Sequence, residues 1–153
     1  MGAMKFKFSL EKVLRHRKSL EDLAQKDFQE ALAVLNQEKQ KLEEMQRAVD
    51  SARNFSFTRQ KGGGTAGSSL SQVHDFLTGQ DVRMDRQKKK IEHQEKMVEE
   101  LREILRNKAL DYKIMEGLKE KKKLKFKEQA KKTEQKKADE MNVMRFQREK
   151  PGA

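Results

Sequence analysis

The sequence predicts an all-α fold: two long helices forming an antiparallel coiled-coil hairpin, with the second helix longer and overhanging the first. Three observations carry this. From Leu70 every seventh residue is apolar, through Leu77, Met84, Ile91, Val98 and Leu105 to Tyr112. Residues seven apart return to one edge of a helix, so this row is a stripe that needs covering. A second stripe lies upstream at Leu14, Phe28, Leu35, Leu42 and Val49, with Leu10, Ala24, Ala31, Met45 and Ala52 beside it. Between the two, Gly62, Gly63, Gly64 and Gly67 interrupt the helix-favouring composition and let the chain fold back.

Composition bounds the architecture. The 153 residues are 34% hydrophobic and 40% charged, with no Cys, no Trp and one Pro. Ordinary globular domains are nearer half apolar and a quarter charged, so a thick core is excluded. Without Cys there is no disulfide scaffold and no thiolate zinc site. No apolar run approaches the ~20 residues that span a bilayer. No signal-peptide region is present, so a cytoplasmic protein is expected, without membrane insertion. Met1, Gly2 and Ala3 ahead of Met4 read as a cloning scar. Residues 4–153 then form a single hairpin domain: a helix over about 9–53, a loop over about 54–68 and a helix over about 69–150.

Each element has its local reason. Ser9 is placed to cap the first helix, with Phe8 packing on Val13 as a hydrophobic staple. The helix runs on to Arg53 without Gly or Pro. Ser69, Leu70, Ser71 and Gln72 fit a Ser-x-x-Gln capping box for the second helix. Pro151 and Gly152 stop it. Gly79 and Gly117 each cost ~1 kcal/mol of helix propensity and mark soft points or close contacts.

Pairing the stripes sets the register. The shorter loop places Ala52 opposite Leu70, Met45 opposite Leu77, Ala31 opposite Ile91, Ala24 opposite Val98 and Leu10 opposite Tyr112. A shift of one heptad is the alternative and puts Glu21 beside Lys108; the shorter loop is preferred. Either register leaves the second helix unpartnered beyond about 118–124, where the seam positions become Lys119 and Lys122. From Lys119 to Lys150 there are 13 basic and 6 acidic residues, a surplus of seven within a net charge of +11. A charged helix with no apolar face needs an external surface to order it.

Chemistry-bearing motifs are few. The glycine-rich loop with Thr65, Ser68 and Ser69 resembles a phosphate loop, but Ser68 stands where its Lys belongs, and no strand precedes it. It reads as a helix connection. His16, His74 and His93 fall far apart in a hairpin, so no metal site is expected. No concave pocket is available to tune a carboxylate for catalysis, and neither enzyme activity nor a cofactor is expected. The run from Lys119 to Lys127 can attract phosphates. Interspersed acids and sparse aromatics make nucleic acid an unexpected partner, and a basic nucleic-acid-binding coiled coil stands as an alternative. A homo-oligomeric scaffold is another alternative to the expected monomeric hairpin. The seam polars Arg17, Glu21, Glu38, Gln80, Gln87, Gln94 and Lys108 read as register determinants. Val13, Leu20, Leu23, Phe55, Phe57 and Phe76 have no obvious intrachain partner, which makes the hairpin ends candidate docking surfaces.

Three stretches resemble one family. The opening from Phe6 through Ser9, Leu10, Glu11 and Leu14 to Arg17 is similar to the start of the flagellar export protein FliJ family. Leu118, Lys119, Glu120 and Lys121 resemble its Leu-Lys-Glu-Arg segment, with Lys in place of the final Arg. Glu134, Lys136, Asp139 and Glu140 resemble its Glu-x-Lys-x-x-Asp-Glu motif, and Phe146, Gln147 and Arg148 follow. The resemblance covers Met4 to Lys150; the glycine loop with Phe55 and Phe57 matches no family feature. It implies a non-enzymatic stalk of the flagellar type III export apparatus. Such a stalk enters the ring of the export ATPase FliI and contacts the gate protein FlhA and substrate chaperones. It is peripheral at the cytoplasmic face of the inner membrane. The equivalent stalk of a virulence secretion system, the YscO group, shares the architecture. The ATPase contact is expected at Phe8, Leu10, Val13, Leu14, Lys121, Lys122, Lys123 and Lys125. The gate contact is expected at Phe76, Gln80, Arg83 and Gln87.

Overall fold

The structure, a computed structural model, describes residues 4–62 and 67–149, and of Ser68 the backbone alone. Two helices make up the fold, α1 (Glu11–Lys61) and the longer α2 (Gly67–Glu149). This is the all-α helical hairpin expected from the two stripes.

Helix boundaries differ from expectation for local reasons. The Leu10 carbonyl accepts the Leu14 N–H at 2.9 Å, and the Phe8 carbonyl accepts that of Glu11 at 3.2 Å. Leu10, not Ser9, therefore stands at the cap position, and Phe8 packs in one cluster with Leu14, leaving Val13 exposed. At its other end α1 continues past Arg53 to Lys61, so the expected loop from Asn54 is helical. No Gly or Pro intervenes before Gly62. Arg59 lies over the Phe55 ring at 5.1 Å and Lys61 over Phe57 at 5.0 Å. Such pairs four residues apart support an exposed helix. Arg59 and Lys61 also complement the negative end of the helix dipole. α2 starts at Gly67, so Ser69 lies inside its first turn rather than capping it. Met1–Ala3, Gly63–Ala66 and Lys150–Ala153, with the expectations that fall on them, lie outside the described residues.

The chain divides into two compact units, one of residues 22–107 and one of residues 1–21 with 108–153. In residues 22–107 the core is Ala31, Leu35, Ile91 and Val98, flanked by Phe28, Leu32, Leu42 and Leu101. Three glutamines cross the seam. Gln80, Gln87 and Gln94 donate from Nε2 to the backbone carbonyls of Met45 (3.3 Å), Glu38 (2.8 Å) and Ala31 (3.0 Å). Arg102 lies over the Phe28 ring at 5.6 Å, where the shorter loop would bring Gln94 to Phe28, so the register is the one-heptad alternative instead of the preferred shorter loop. That alternative sets Phe28 against Leu101, whereas the shorter loop would set Leu101 against Glu21.

In the other unit Phe8, Leu14 and Met115 form the core, with Phe6, Leu10, Tyr112 and Leu118 packed on it. Arg17 Nη1 donates to the Asp111 carbonyl at 3.0 Å. Lys119 Nζ lies 3.0 Å from the Glu11 carboxylate. The Phe6 and Phe126 rings sit 5.6 Å apart. The segment before α1 therefore covers α2 as far as Phe126, beyond the expected limit of about 118–124. From Lys127 to Glu149 every residue of α2 is exposed. Among the described residues, no helix is long and apolar enough to cross a membrane.

Candidate docking surfaces

In the unit that holds the chain start, burial sorts the residues expected to meet an ATPase. Phe8 and Leu14 are buried in the core, and Leu10 packs on it. These side chains shape the surface rather than form it. Val13 is exposed, as are Lys121, Lys122, Lys123 and Lys125. Lys122 Nζ stands 5.9 Å from the centre of the Phe8 ring. Lys123 joins Phe6, Lys7, Arg15 and Lys119 around a shallow concavity in which Glu11 is the one carboxylate. Lys119 and Arg15 both pair with Glu11, at 3.0 and 3.9 Å. The cations outnumber it, so the concavity is an anion-attracting surface with an aromatic floor.

Farther along α2, Met141, Val143, Met144 and Phe146 are each more than half exposed. At ~100° per residue these four side chains point to all sides of the helix, with no gap wider than ~140°. One flat partner cannot cover such a set. Sequence reasoning treats this stretch as a charged run, passes over Met141, Val143 and Met144 and names Phe146 only within the family resemblance; the available signal was their clustering among charged neighbours.

In residues 22–107 the expected gate residues divide in the same way. Gln80 and Gln87 are buried, and their amides serve the seam. Phe76 is exposed, and the Arg83 guanidinium lies 5.8 Å from its ring centre. Arg83 Nε also donates to Gln80 Oε1 at 2.8 Å, which fixes the guanidinium over the ring. Phe76 shares an open groove with Phe55, Ala52 and Val73. Phe55, absent from the residues expected to meet the gate, lies in this groove beside Phe76. Its place in a supposed loop concealed that α1 carries it beside Phe76.

Among the described residues the Glu38 carboxyl is displaced clearly from its ordinary value. The hydrogen bond from Gln87 holds its carboxyl below the usual glutamate range against a partial desolvation, assisted by Lys41 and Lys90. His16, His74 and His93 are all exposed. Among the described residues, no group of three His, Cys, Asp or Glu is placed to hold a metal ion.

The family described as "Flagellar FliJ protein" matches residues 6–151. No curated protein matches the chain. Among solved structures, a Chlamydia trachomatis protein described as a YscO homologue is similar, with a TM-score of 0.64 at 20% identity. The match covers 96% of this chain and all of that one, and at this identity the likeness is one of fold. The family match spans nearly the whole sequence, and the chain belongs to the flagellar FliJ protein family, adaptors of type III export.

Proposed function

We propose that this protein is the non-enzymatic stalk of the flagellar export apparatus. It docks into the ring of the export ATPase FliI and links that ring to the gate protein FlhA and to substrate chaperones. The observation that carries the ATPase contact is the exposed stretch of α2 beyond Lys127. Met141, Val143, Met144 and Phe146 face every side of one basic helix. Four apolar side chains on all sides of a charged helix are covered together only when the helix is enclosed, as the lumen of a ring would enclose it. Lys121, Lys122, Lys123 and Lys125 offer ion pairs to carboxylates of several subunits, which favours orientation and association rate more than affinity. Gate contact falls to Phe76 and Arg83, with Phe55 beside them. The protein would then sit in the cytoplasm, peripheral to the inner membrane through these partners.

ATP hydrolysis by purified FliI, with and without this chain, tests the reading. Stimulation is the expected result; an unchanged rate with both proteins folded would contradict it. The equivalent stalk of a virulence secretion system is the second reading, supported by the fold shared with the YscO homologue. Stimulation of that system's ATPase alone would favour it.

A further inference from the structure

The glutamine ladder has a property that the apolar stripes share. Gln80, Gln87 and Gln94 are spaced by seven, and so are the carbonyls they reach, those of Met45, Glu38 and Ala31. If α1 and α2 slipped by one heptad toward the shorter loop, Gln80 would meet the Glu38 carbonyl and Gln87 that of Ala31. Gln94 would meet that of Ala24. Every ladder bond is regained, because a helix offers a carbonyl at each position. The Glu38 carboxylate, now bonded by Gln87, would be offered Gln80 in its place. The apolar row keeps its phase as well, with Ala31 facing Ile91 and Ala24 facing Val98.

Within residues 22–107 the slip exchanges Phe28 against Leu101 at the edge of the core for Phe28 against Gln94, and the other contacts with no counterpart are at the surface. One is the Lys39–Glu95 pair at 3.8 Å, both side chains about half exposed, and such pairs contribute little. Another is the Arg102 guanidinium over the Phe28 ring. The end of α1 can supply the displaced residues, because from Arg53 to Lys61 all but Ser56 are exposed. Helix ends of this kind open at low free-energy cost.

Further aperiodic contacts lie in the unit of residues 1–21 with 108–153. Leu14 packs with Met115, Arg17 bonds the Asp111 carbonyl, and Glu11 pairs with Lys119. Since α1 and α2 are continuous helices, a one-heptad slip breaks all three.

From this we propose that residues 22–107 have a second accessible register one heptad away, and that the Glu11–Lys119 and Leu14–Met115 contacts lock the chain in the register found. An event that pulls Lys119 from Glu11 becomes a change of register along the seam. This inference rests on the contacts alone and is independent of which partner the chain serves.

The chain has no Cys, so two cysteine pairs report the register without interference. Met45→Cys with Met84→Cys joins the helices in the register found, and Met45→Cys with Leu77→Cys joins them only after the slip. The two positions on α2 are ~10 Å apart along its axis, outside the reach of one disulfide geometry. In the otherwise unchanged chain the first pair should oxidise readily and the second poorly. Adding Lys119→Glu should raise the yield of the second pair at least fivefold. Combining it with Glu11→Lys, which restores an ion pair of opposite sense, should return the yield to its starting level. Leu14→Ala, with helix content checked by circular dichroism, should act like Lys119→Glu. A second-pair yield that stays low in both lock variants, while the first pair still closes, would overturn the proposal.

Discussion

Gln87 donates from Nε2 to Glu38 twice, to its backbone carbonyl at 2.8 Å and to its carboxylate. This bond is the first cause of the lowered Glu38 pKa. Because the folded chain prefers the ionised form, the contribution to stability is complete above the unfolded glutamate pKa of about 4.3. It is lost as pH falls through the lower folded value. In Gln87→Leu the Glu38 carboxyl should titrate higher, as followed by NMR, and the loss of stability over that acid window should be smaller. An unmoved titration would contradict this account of the seam.

Ile91 belongs to the core cluster of residues 22–107, and Ile91→Ala should cost about 2–5 kcal/mol, as buried truncations do. Leu105 belongs to the same heptad row but is only half-buried, so Leu105→Ala should cost less. Met141→Ala, at an exposed position, should change stability by no more than about 0.5 kcal/mol. Urea unfolding of the three variants checks the order.

Gly117 is helical, and a Cβ built there meets no atom within 4 Å. Gly117→Ala should therefore stabilise the chain by about 0.5–1 kcal/mol, seen as a higher Tm. At Gly79 an added Cβ would come within 3.1 Å of the Arg83 guanidinium. Gly79→Ala should gain less, because it displaces Arg83 from the Phe76 ring.

The heptad rows made both helices legible in the sequence, since a seven-residue apolar repeat has few other uses. Register was not legible for the same reason: a periodic seam looks alike after a shift of seven. What decides it are single pairs such as Leu14 with Met115, which the row over Leu70–Tyr112 does not include. The helix through Phe55 and Phe57 was missed because it is held by its own neighbouring cations rather than by burial. The cover supplied by Phe6 to Phe126 was missed because Phe6 precedes the helix and obeys no helical period. Of the residues that the resemblance offers for docking, the exposure of the lysines was readable from the charge run and that of Phe76 from its place off the seam, whereas the burial of Gln80 and Gln87 follows only from the seam geometry.

Phe76 and Arg83 are proposed to meet the gate and not the ATPase. Phe76→Ala and Arg83→Ala should each weaken FlhA binding while leaving stimulation of ATP hydrolysis intact, with Phe55→Ala acting in the same direction. Binding by titration calorimetry and hydrolysis rates on the same preparations separate the two activities. If both fall together, the division of surfaces is wrong.

The central claim is that stimulation of the export ATPase requires α2 beyond the Phe6–Phe126 contact. A chain ending at Lys127 keeps the Glu11–Lys119, Phe8–Lys122 and Phe6–Phe126 contacts and removes the exposed segment with Met141, Val143, Met144 and Phe146. The most direct measurement is the rate of ATP hydrolysis by FliI with this shortened chain beside the full one, both at matched helix content. Loss of stimulation with the fold retained is the predicted result; full stimulation by the shortened chain would contradict the claim.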